Sequence, residues 1–210
     1  QAEKHGNSNY KLEIDVVERP TGTFTLGAGY SSVDHFVVQG SVSQDNFMGY
    51  GVKLDLAASL GGASTTYRLG ITDPYFLDSK WTLGFDVYKR EQDWSDFSED
   101  TTGVAIRGGY PLSRNIKGLL TYRYEEKTIY DITSTSLVIT EQEGDSVLSS
   151  ITAAINRNST DFYQDPSSGG ISKFTYEYAG LGGTEYFAKV VGSHRHFWPL
   201  FWDTVVTLHG

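Results

Sequence analysis

The chain is built from segments in which apolar and polar residues alternate. The clearest segment is Lys80–Arg90, where one set of alternate positions is apolar: Trp81, Leu83, Phe85 and Val87. The intervening positions are small, polar or hydroxyl-bearing: Thr82, Gly84, Asp86 and Tyr88. Because successive side chains of a β-strand point to opposite faces, this period of two predicts a strand with one apolar face.

The same alternation recurs along the chain and predicts about eleven strands. Their predicted bounds are 23–30, 35–44, 50–60, 64–72, 80–90, 102–110, 117–128, 146–156, 171–180, 185–193 and 202–209. Most lengths are near the ~9–11 residues that a tilted strand needs to cross a bilayer. A soluble antiparallel sandwich also alternates, but its strands are commonly only about 5–6 residues long. Many of the apolar faces here end in Tyr, Trp or Phe, as membrane girdles do, so we predict an all-β transmembrane antiparallel barrel.

The connections between the predicted strands form two alternating sets. One set is mostly short and carries Pro, Asn, Asp and aromatic residues: 44–48, 73–79, 110–115 and 156–169. The other set comprises 31–34, 60–64, 91–101 and 130–145, of which the last two are long and acidic. Short turns in the periplasm and longer loops outside the cell are typical of outer-membrane barrels. We therefore expect 91–101 to be a solvated loop and 130–145 to be a mobile extracellular loop.

Composition narrows the function classes further. The formal net charge is −9, with 17 Lys and Arg against 26 Asp and Glu, which argues against a nucleic-acid partner. The chain has no Cys, which excludes disulfides, thiolate metal sites and Cys nucleophiles within it. The mean hydropathy is −0.34. That value is compatible with barrel strands, whose apolar and polar faces cancel in an average.

No catalytic constellation stands out, and we expect no enzyme activity, no metal and no cofactor. His194 and His196 form a His-x-His pair without a third clear ligand, so a rim turn with an aromatic anchor explains them better. Asp73 and Asp78 flank a Pro-Tyr-Phe-Leu run, where turn capping is the simpler explanation. The aromatic residues predicted to lie at the membrane interfaces are Tyr75, Phe76, Trp81, Phe197, Trp198 and Trp202.

Four segments, in order, resemble the BamA family of bacterial outer-membrane protein assembly factors. IDVVERPTGTFTLGAGYSS, at 14–32, is similar to the junction between the last periplasmic POTRA domain and the first barrel strand. QDNFMGYG, at 44–51, resembles the turn between the second and third strands, and ITDPYFLDSKWTLGFDVY, at 71–88, resembles the turn between the fourth and fifth. NRNSTDFYQDPSSGG, at 156–170, resembles the turn between the eighth and ninth strands, but Ser159–Thr160 is inserted and Asp165–Pro166 replaces an apolar–Pro pair.

This resemblance implies a domain organisation and a function. Residues 1–20 would be the end of the last POTRA domain and a hinge, and 21–210 the N-terminal portion of the barrel. About eleven of the sixteen strands implied by the resemblance would lie in this chain. The implied function is assembly and insertion of β-barrel proteins into the outer membrane of Gram-negative bacteria, with the N-terminus in the periplasm. The implied partners are outer-membrane lipids, unfolded outer-membrane client proteins and the lipoproteins of an assembly complex.

The resemblance also assigns a role to the first barrel strand. In this family the first strand pairs weakly with the last and is thought to open as a lateral gate, whose free edge can template a client strand by β-augmentation. The corresponding residues are Thr23, Phe24, Thr25, Leu26, Gly27, Ala28, Gly29 and Tyr30. Gly27 and Gly29 weaken the strand because they have no side chains to pack. The alternatives are a two-partner secretion transporter, a passive porin-like barrel and a soluble β-sandwich binding module.

Overall fold

The structure is a computed structural model that describes residues 2–5, 9–12, 21–133, 140, 143–202 and 204–210. Near the N-terminus, Ala2–His5 (β1) and Asn9–Leu12 (β2) pair as a short antiparallel ladder. The rest of the predicted POTRA tail and hinge lies outside the described residues, so that domain assignment stays a prediction. Half of the predicted extracellular loop at 130–145 lies outside them as well.

The main sheet contains eleven strands in sequence order, and every neighbouring pair is antiparallel. The strands are β3 (Gly22–Ser31), β4 (His35–Phe47), β5 (Val52–Leu60), β6 (Ser64–Asp73), β7 (Thr82–Asp93), β8 (Ser98–Ser113), β9 (Ile116–Tyr130), β10 (Gly144–Asn158), β11 (Gly169–Ala179), β12 (Phe187–Pro199) and β13 (Val205–His209). Each predicted strand corresponds to one of these, so the prediction of an all-β antiparallel fold is confirmed. Within the described residues the sheet is open, with β3 at one edge and β13 at the other.

Helical structure is nearly absent from the part of the chain that the structure describes. Phe76–Asp78 forms one short 3-10 turn between β6 and β7. No helix among the described residues is long and apolar enough to cross a membrane.

The two faces of the sheet follow from the register of the strands. Asp55, Gly70, Asp86, Ala105 and Arg123 lie directly opposite one another on β5 to β9. Residues directly opposite each other share a face, so this row belongs to one side, which we call the polar face. The side chains at the alternate positions define the apolar face, and one of its rows is Phe24, Val42, Leu56, Leu69 and Val87.

The apolar face is the exposed one, which is the reverse of a soluble sheet. Phe85 is 42% exposed and Leu83 is 36% exposed, whereas Asp86 on the polar face is only 4% exposed. Other large exposed side chains of the apolar face are Phe24, Leu56, Leu69, Ile106, Leu120 and Tyr176. Exposed apolar surface this extensive requires a lipid or protein environment. This arrangement agrees with a membrane-facing sheet and disagrees with the soluble-sandwich alternative.

The strands differ considerably in length around the sheet. β5 has 9 residues, while β3 and β6 each have 10. By contrast, β8 has 16 residues and its neighbours β9 and β10 have 15 each. We call the end of the sheet at which β3 begins the near rim and the opposite end the far rim. The near rim carries the turns after β4, β6, β8, β10 and β12.

The expectation of a long acidic loop at 91–101 was wrong. Strands β7 and β8 continue through most of this segment and leave only residues 94–97 between them. Glu91 and Asp100 lie directly opposite each other, which alone would destabilise the pairing. Lys89 Nζ contacts both carboxylates, at 2.7 Å from Glu91 and 3.3 Å from Asp100, and so offsets the repulsion. Charged residues here continue the ladder instead of ending it.

The orientation of β7 can be tested by placing a charge on each face of the sheet. Phe85→Arg is expected to destabilise the folded protein in bilayers by about 2–4 kcal/mol if the residue lies near the midplane, because arginine is costly on a lipid-facing surface. The matched control is Val191→Arg, since Val191 is also apolar and exposed but shares the polar face with Glu177 and Lys189. The measurement is urea unfolding of the lipid-inserted protein. Equal effects of the two substitutions would contradict the assigned faces.

Candidate functional site

The candidate site is the free edge of β3, which contains all of the predicted gate residues. β3 pairs with β4 along its whole length, from Gly22 opposite Gln44 to Ser31 opposite His35. On its other side it has no partner strand among the described residues. Phe24 and Leu26 are each 70% exposed on the apolar face. The strand therefore presents both a row of backbone donors and acceptors and an apolar surface.

Side chains do little to fasten β3 to its neighbour. Between described residues, no side chain of Thr23–Tyr30 donates or accepts a hydrogen bond. The nearest such contact lies just before the strand, where Gln44 Nε2 donates to Thr21 Oγ1 at 2.6 Å. Gly27 leaves room for the side chain of Gln39, since a Cβ there would lie 3.1 Å from Gln39 Nε2. The strand is held mainly by its backbone ladder with β4.

The middle of the sheet is fastened quite differently, by a buried carboxylate on the polar face. Arg107 Nε donates to Asp86 Oδ2 at 2.5 Å, and Arg107 Nη2 donates to Asp86 Oδ1 and Thr72 Oγ1, both at 3.2 Å. Arg68 Nη2 donates to Asp86 Oδ1 at 3.1 Å. These contacts join β6, β7 and β8. Gly84 makes room for the guanidinium, because a Cβ there would lie 2.9 Å from Arg107 Nη2.

A second network on the polar face continues from β7 to β11. Arg123 Nη2 donates to Glu177 Oε1, and Ser150 Oγ donates to the same oxygen at 3.0 Å. Arg123 also lies 3.5 Å from Glu125, which accepts a hydrogen bond from the hydroxyl of Tyr88. Together the two networks link six strands. We call Asp86, Arg68, Arg107, Arg123, Glu125 and Glu177 the polar-face network.

The polar-face network was not predicted from the sequence, although a signal for it was present. Each of its charged residues occupies the Thr- and Gly-rich set of alternate positions. The alternation therefore predicts that these residues share one face of the sheet. Which residues meet depends on strand register, and the alternation does not fix that. Chemically, the network pairs every carboxylate with a guanidinium and offers no nucleophile next to a base. Within the described ranges no three His, Cys, Asp or Glu side chains are grouped as metal ligands.

The predicted interfacial aromatic residues lie at or near the near rim, but they do not all share a face. Tyr75, Trp81 and Trp202 are exposed, and the Trp81 ring packs 4.8 Å from the ring of Tyr110. Phe76 lies in the 3-10 turn, and Trp198 is exposed on the apolar face of β12. Phe197 is only 8% exposed, because as the neighbour of Trp198 in a strand it points to the polar face. An interfacial role for all six residues stays a prediction.

The turn between β10 and β11 also lies at the near rim and is held by Asp161. Its Oδ1 accepts hydrogen bonds from the backbone N–H groups of Phe162, Ser167 and Ser168 at 2.9, 3.0 and 3.1 Å. The Ser167 hydroxyl, which donates to Oδ2, and these backbone groups hold the pKa of the Asp161 carboxyl well below its usual range. The charged form is thus favoured, and the turn loses this support only in strongly acid solution. The turn presents Phe162 and Tyr163 to solvent.

Comparisons with known proteins agree with this geometry. The pattern of the Omp85 superfamily domain matches residues 46–210. An outer membrane protein assembly factor BamA from Nitratidesulfovibrio vulgaris is 30% identical over 202 residues, which is 95% of this chain and 25% of that protein. The BamA of Neisseria meningitidis serogroup B is 33% identical over 109 residues, covering 49% of this chain and 14% of that protein. The crystal structure of BamA from Haemophilus ducreyi lacking POTRA domains 1–3 superimposes with a TM-score of 0.73 at 21% identity, covering 92% of this chain and 40% of that one.

The contribution of the polar-face network to stability can be measured at Asp86. Arg107→Gln should lower the free energy of unfolding by about 1–3 kcal/mol, because the buried carboxylate keeps Arg68 but loses its closest charged donor. The control is Arg90→Gln, which removes an exposed arginine 3.7 Å from Glu99 and should change stability by less than about 1 kcal/mol. Urea unfolding in lipid bilayers gives both values. If Arg107→Gln lowers the free energy of unfolding no more than Arg90→Gln does, the polar-face network does not stabilise the sheet.

Proposed function

The chain belongs to the Omp85 superfamily, and on that premise we propose that it forms part of an outer-membrane barrel that folds and inserts other outer-membrane proteins, with β3 as its lateral gate. The relatives named as outer membrane protein assembly factors support this assignment. The chain spans 25% of the length of the Nitratidesulfovibrio vulgaris relative, so the activity of the whole protein is part of the proposal. The observation that carries the gate is the weak fastening of β3, because no side chain of Thr23–Tyr30 makes a hydrogen bond to another described residue and the strand is held by its backbone ladder with β4.

The work of such a gate is physical and needs no covalent chemistry. A backbone N–H or C=O group that enters hydrocarbon without a partner costs several kcal/mol, so strands cross a membrane only when they are paired. Along the edge of β3, every second residue directs its backbone N–H and C=O groups outward, where they can form hydrogen bonds with an incoming strand. Pairing with β3 therefore satisfies the client and the gate together. The same β-augmentation gives affinity without requiring one client sequence.

The uneven fastening of the sheet supports placing the gate at β3. The polar-face network links β6 to β11, so displacing any one of those strands would expose paired charges. β3 has no such contact among the described residues and can separate from its surroundings at lower cost. In this proposal β6 to β11 form a rigid part of the sheet, and β3 is the strand that can pair with a client.

The proposed orientation places the near rim, where β3 begins, in the periplasm of a Gram-negative bacterium. The N-terminal residues would then lie on the periplasmic side, where clients arrive unfolded. Outer-membrane lipids would cover the apolar face. The lipoproteins of an assembly complex are further partners that the resemblance to the BamA family implies.

The gate can be tested by crosslinking. The 210 residues of the chain contain no Cys, so within this chain each introduced cysteine reports on a single position. Cysteines placed in turn at Thr23, Thr25 and Gly27 of the full-length protein should crosslink to the C-terminal strand of a client trapped during folding, because these positions line the free edge. The measurement is the yield of the client adduct for each variant.

The control position is Thr102, an exposed residue of β8, which is paired on both sides. Client crosslinks concentrated at Thr102 or on β11, and absent from β3, would contradict the gate.

Single-channel recording distinguishes the proposed assembly factor from a passive porin, because a passive porin would conduct steadily in the absence of any client.

A further inference from the structure

A group of basic, polar and aromatic side chains lies on the apolar face close to the near rim. Arg157 of β10 is directly opposite Ser172 of β11, and Ser172 is directly opposite His194 of β12. The three side chains therefore form one row on the same face. His196 and Trp198 occupy the next two positions on that face of β12. We call these five residues the basic patch.

The basic patch begins where the apolar band of the sheet ends. The preceding row on the same three strands consists of Ile155, Phe174 and Gly192. One row further toward the near rim, all three strands change from apolar or glycine residues to polar ones. A change at the same register on three neighbouring strands is the pattern expected where hydrocarbon gives way to headgroups, although the flanking strands keep apolar residues there, with Ile116 opposite Arg157 and Leu208 opposite His196.

Contacts within the basic patch hold the side chains together along β12. Ser172 Oγ lies 2.9 Å from His194 Nδ1. The rings of His194 and His196 are 5.8 Å apart between centroids, and the ring of His196 lies 4.2 Å from that of Trp198. Arg157 is exposed and has no acidic partner among the described residues. The patch thus combines an uncompensated guanidinium with two imidazoles and an indole.

We propose that the basic patch binds the phosphate of an anionic phospholipid headgroup in the leaflet nearest the near rim. A guanidinium presents paired N–H donors that match two phosphate oxygens, and the imidazole N–H groups can supply further donors. Trp198 is suited to the same depth, since an indole places an apolar body beside the acyl chains and an N–H toward the headgroups. A lipid is favoured over a protein partner because the patch continues directly from the lipid-facing band. The inference rests on the membrane placement proposed above, but not on the gate.

The test uses the full-length protein that contains this chain, reconstituted into nanodiscs of phosphatidylcholine with a trace of photoactivatable phosphatidylglycerol. Mass spectrometry then gives the crosslink yield on the peptide that contains β12. Arg157→Gln combined with His194→Gln should lower that yield at least about fivefold, which corresponds to about 1 kcal/mol, the typical effect of one basic residue at an anionic membrane surface. Arg157→Lys keeps the charge and should retain most of the yield.

The matched control is Arg195→Gln, which removes the same charge between the two histidines but on the polar face of β12. It should leave the yield unchanged. An undiminished yield in the Arg157→Gln/His194→Gln variant would overturn the proposal, as would loss of the crosslink on adding excess inorganic phosphate, which would make the ligand a free anion. Absence of any crosslink to β12 in the native protein would indicate a covering subunit and also overturn it. Failure to enter the nanodiscs would instead count against the proposed membrane function.

Discussion

The constraint on which the structure depends is that a backbone in hydrocarbon must satisfy every N–H and C=O group within the protein. An antiparallel sheet that joins each strand to its sequence neighbours does so with the shortest connections. The order β3 to β13 follows this rule without a crossover. The same constraint makes the edges the reactive parts of the sheet, since only there are backbone groups free to pair with a further strand.

The exposed apolar face leaves the polar face to provide specific side-chain contacts. Lipid contacts are non-directional, so side chains such as Phe85 exclude a slip of one residue but cannot distinguish registers that differ by two. Asp86 can, because its two arginines must arrive from β6 and from β8 at hydrogen-bonding distance. The absence of a side chain at Gly84 and Gly103 then becomes a requirement, since a Cβ at Gly103 would lie 2.6 Å from the ring of Tyr88. Charge and small residues on one face thus complement hydrophobicity on the other.

The sequence predicted the strands well because alternation is a local property that each segment carries by itself. The alternation predicts all eleven strands of the main sheet, but it predicts a loop around Glu91 and Asp100, where the structure has paired strands. There the residues are polar on both faces, so the alternation disappears even though Lys89 keeps the ladder intact. Phe197 and Trp198 show a related limit, since a run of aromatic residues does not reveal which member faces which side. The networks around Asp86 and Glu177 depend on the register between strands that are far apart in sequence. No local pattern of residues predicts that register.

The unequal strand lengths have a mechanical consequence. The intermediate strands β4 and β7 have 13 and 12 residues, but β3, β5 and β6 have only 9 or 10, against 15 or 16 in β8 to β10. At about 3.4 Å per residue, the difference amounts to roughly 17–24 Å of strand before tilt is considered. The shorter strands match the ~9–11 residues that a tilted crossing needs, so in a bilayer the additional length of β8 to β10 would project beyond the membrane surface. The rim beside β3 would then lie close to the membrane surface, so an arriving strand could reach β3 without passing a projecting wall of protein.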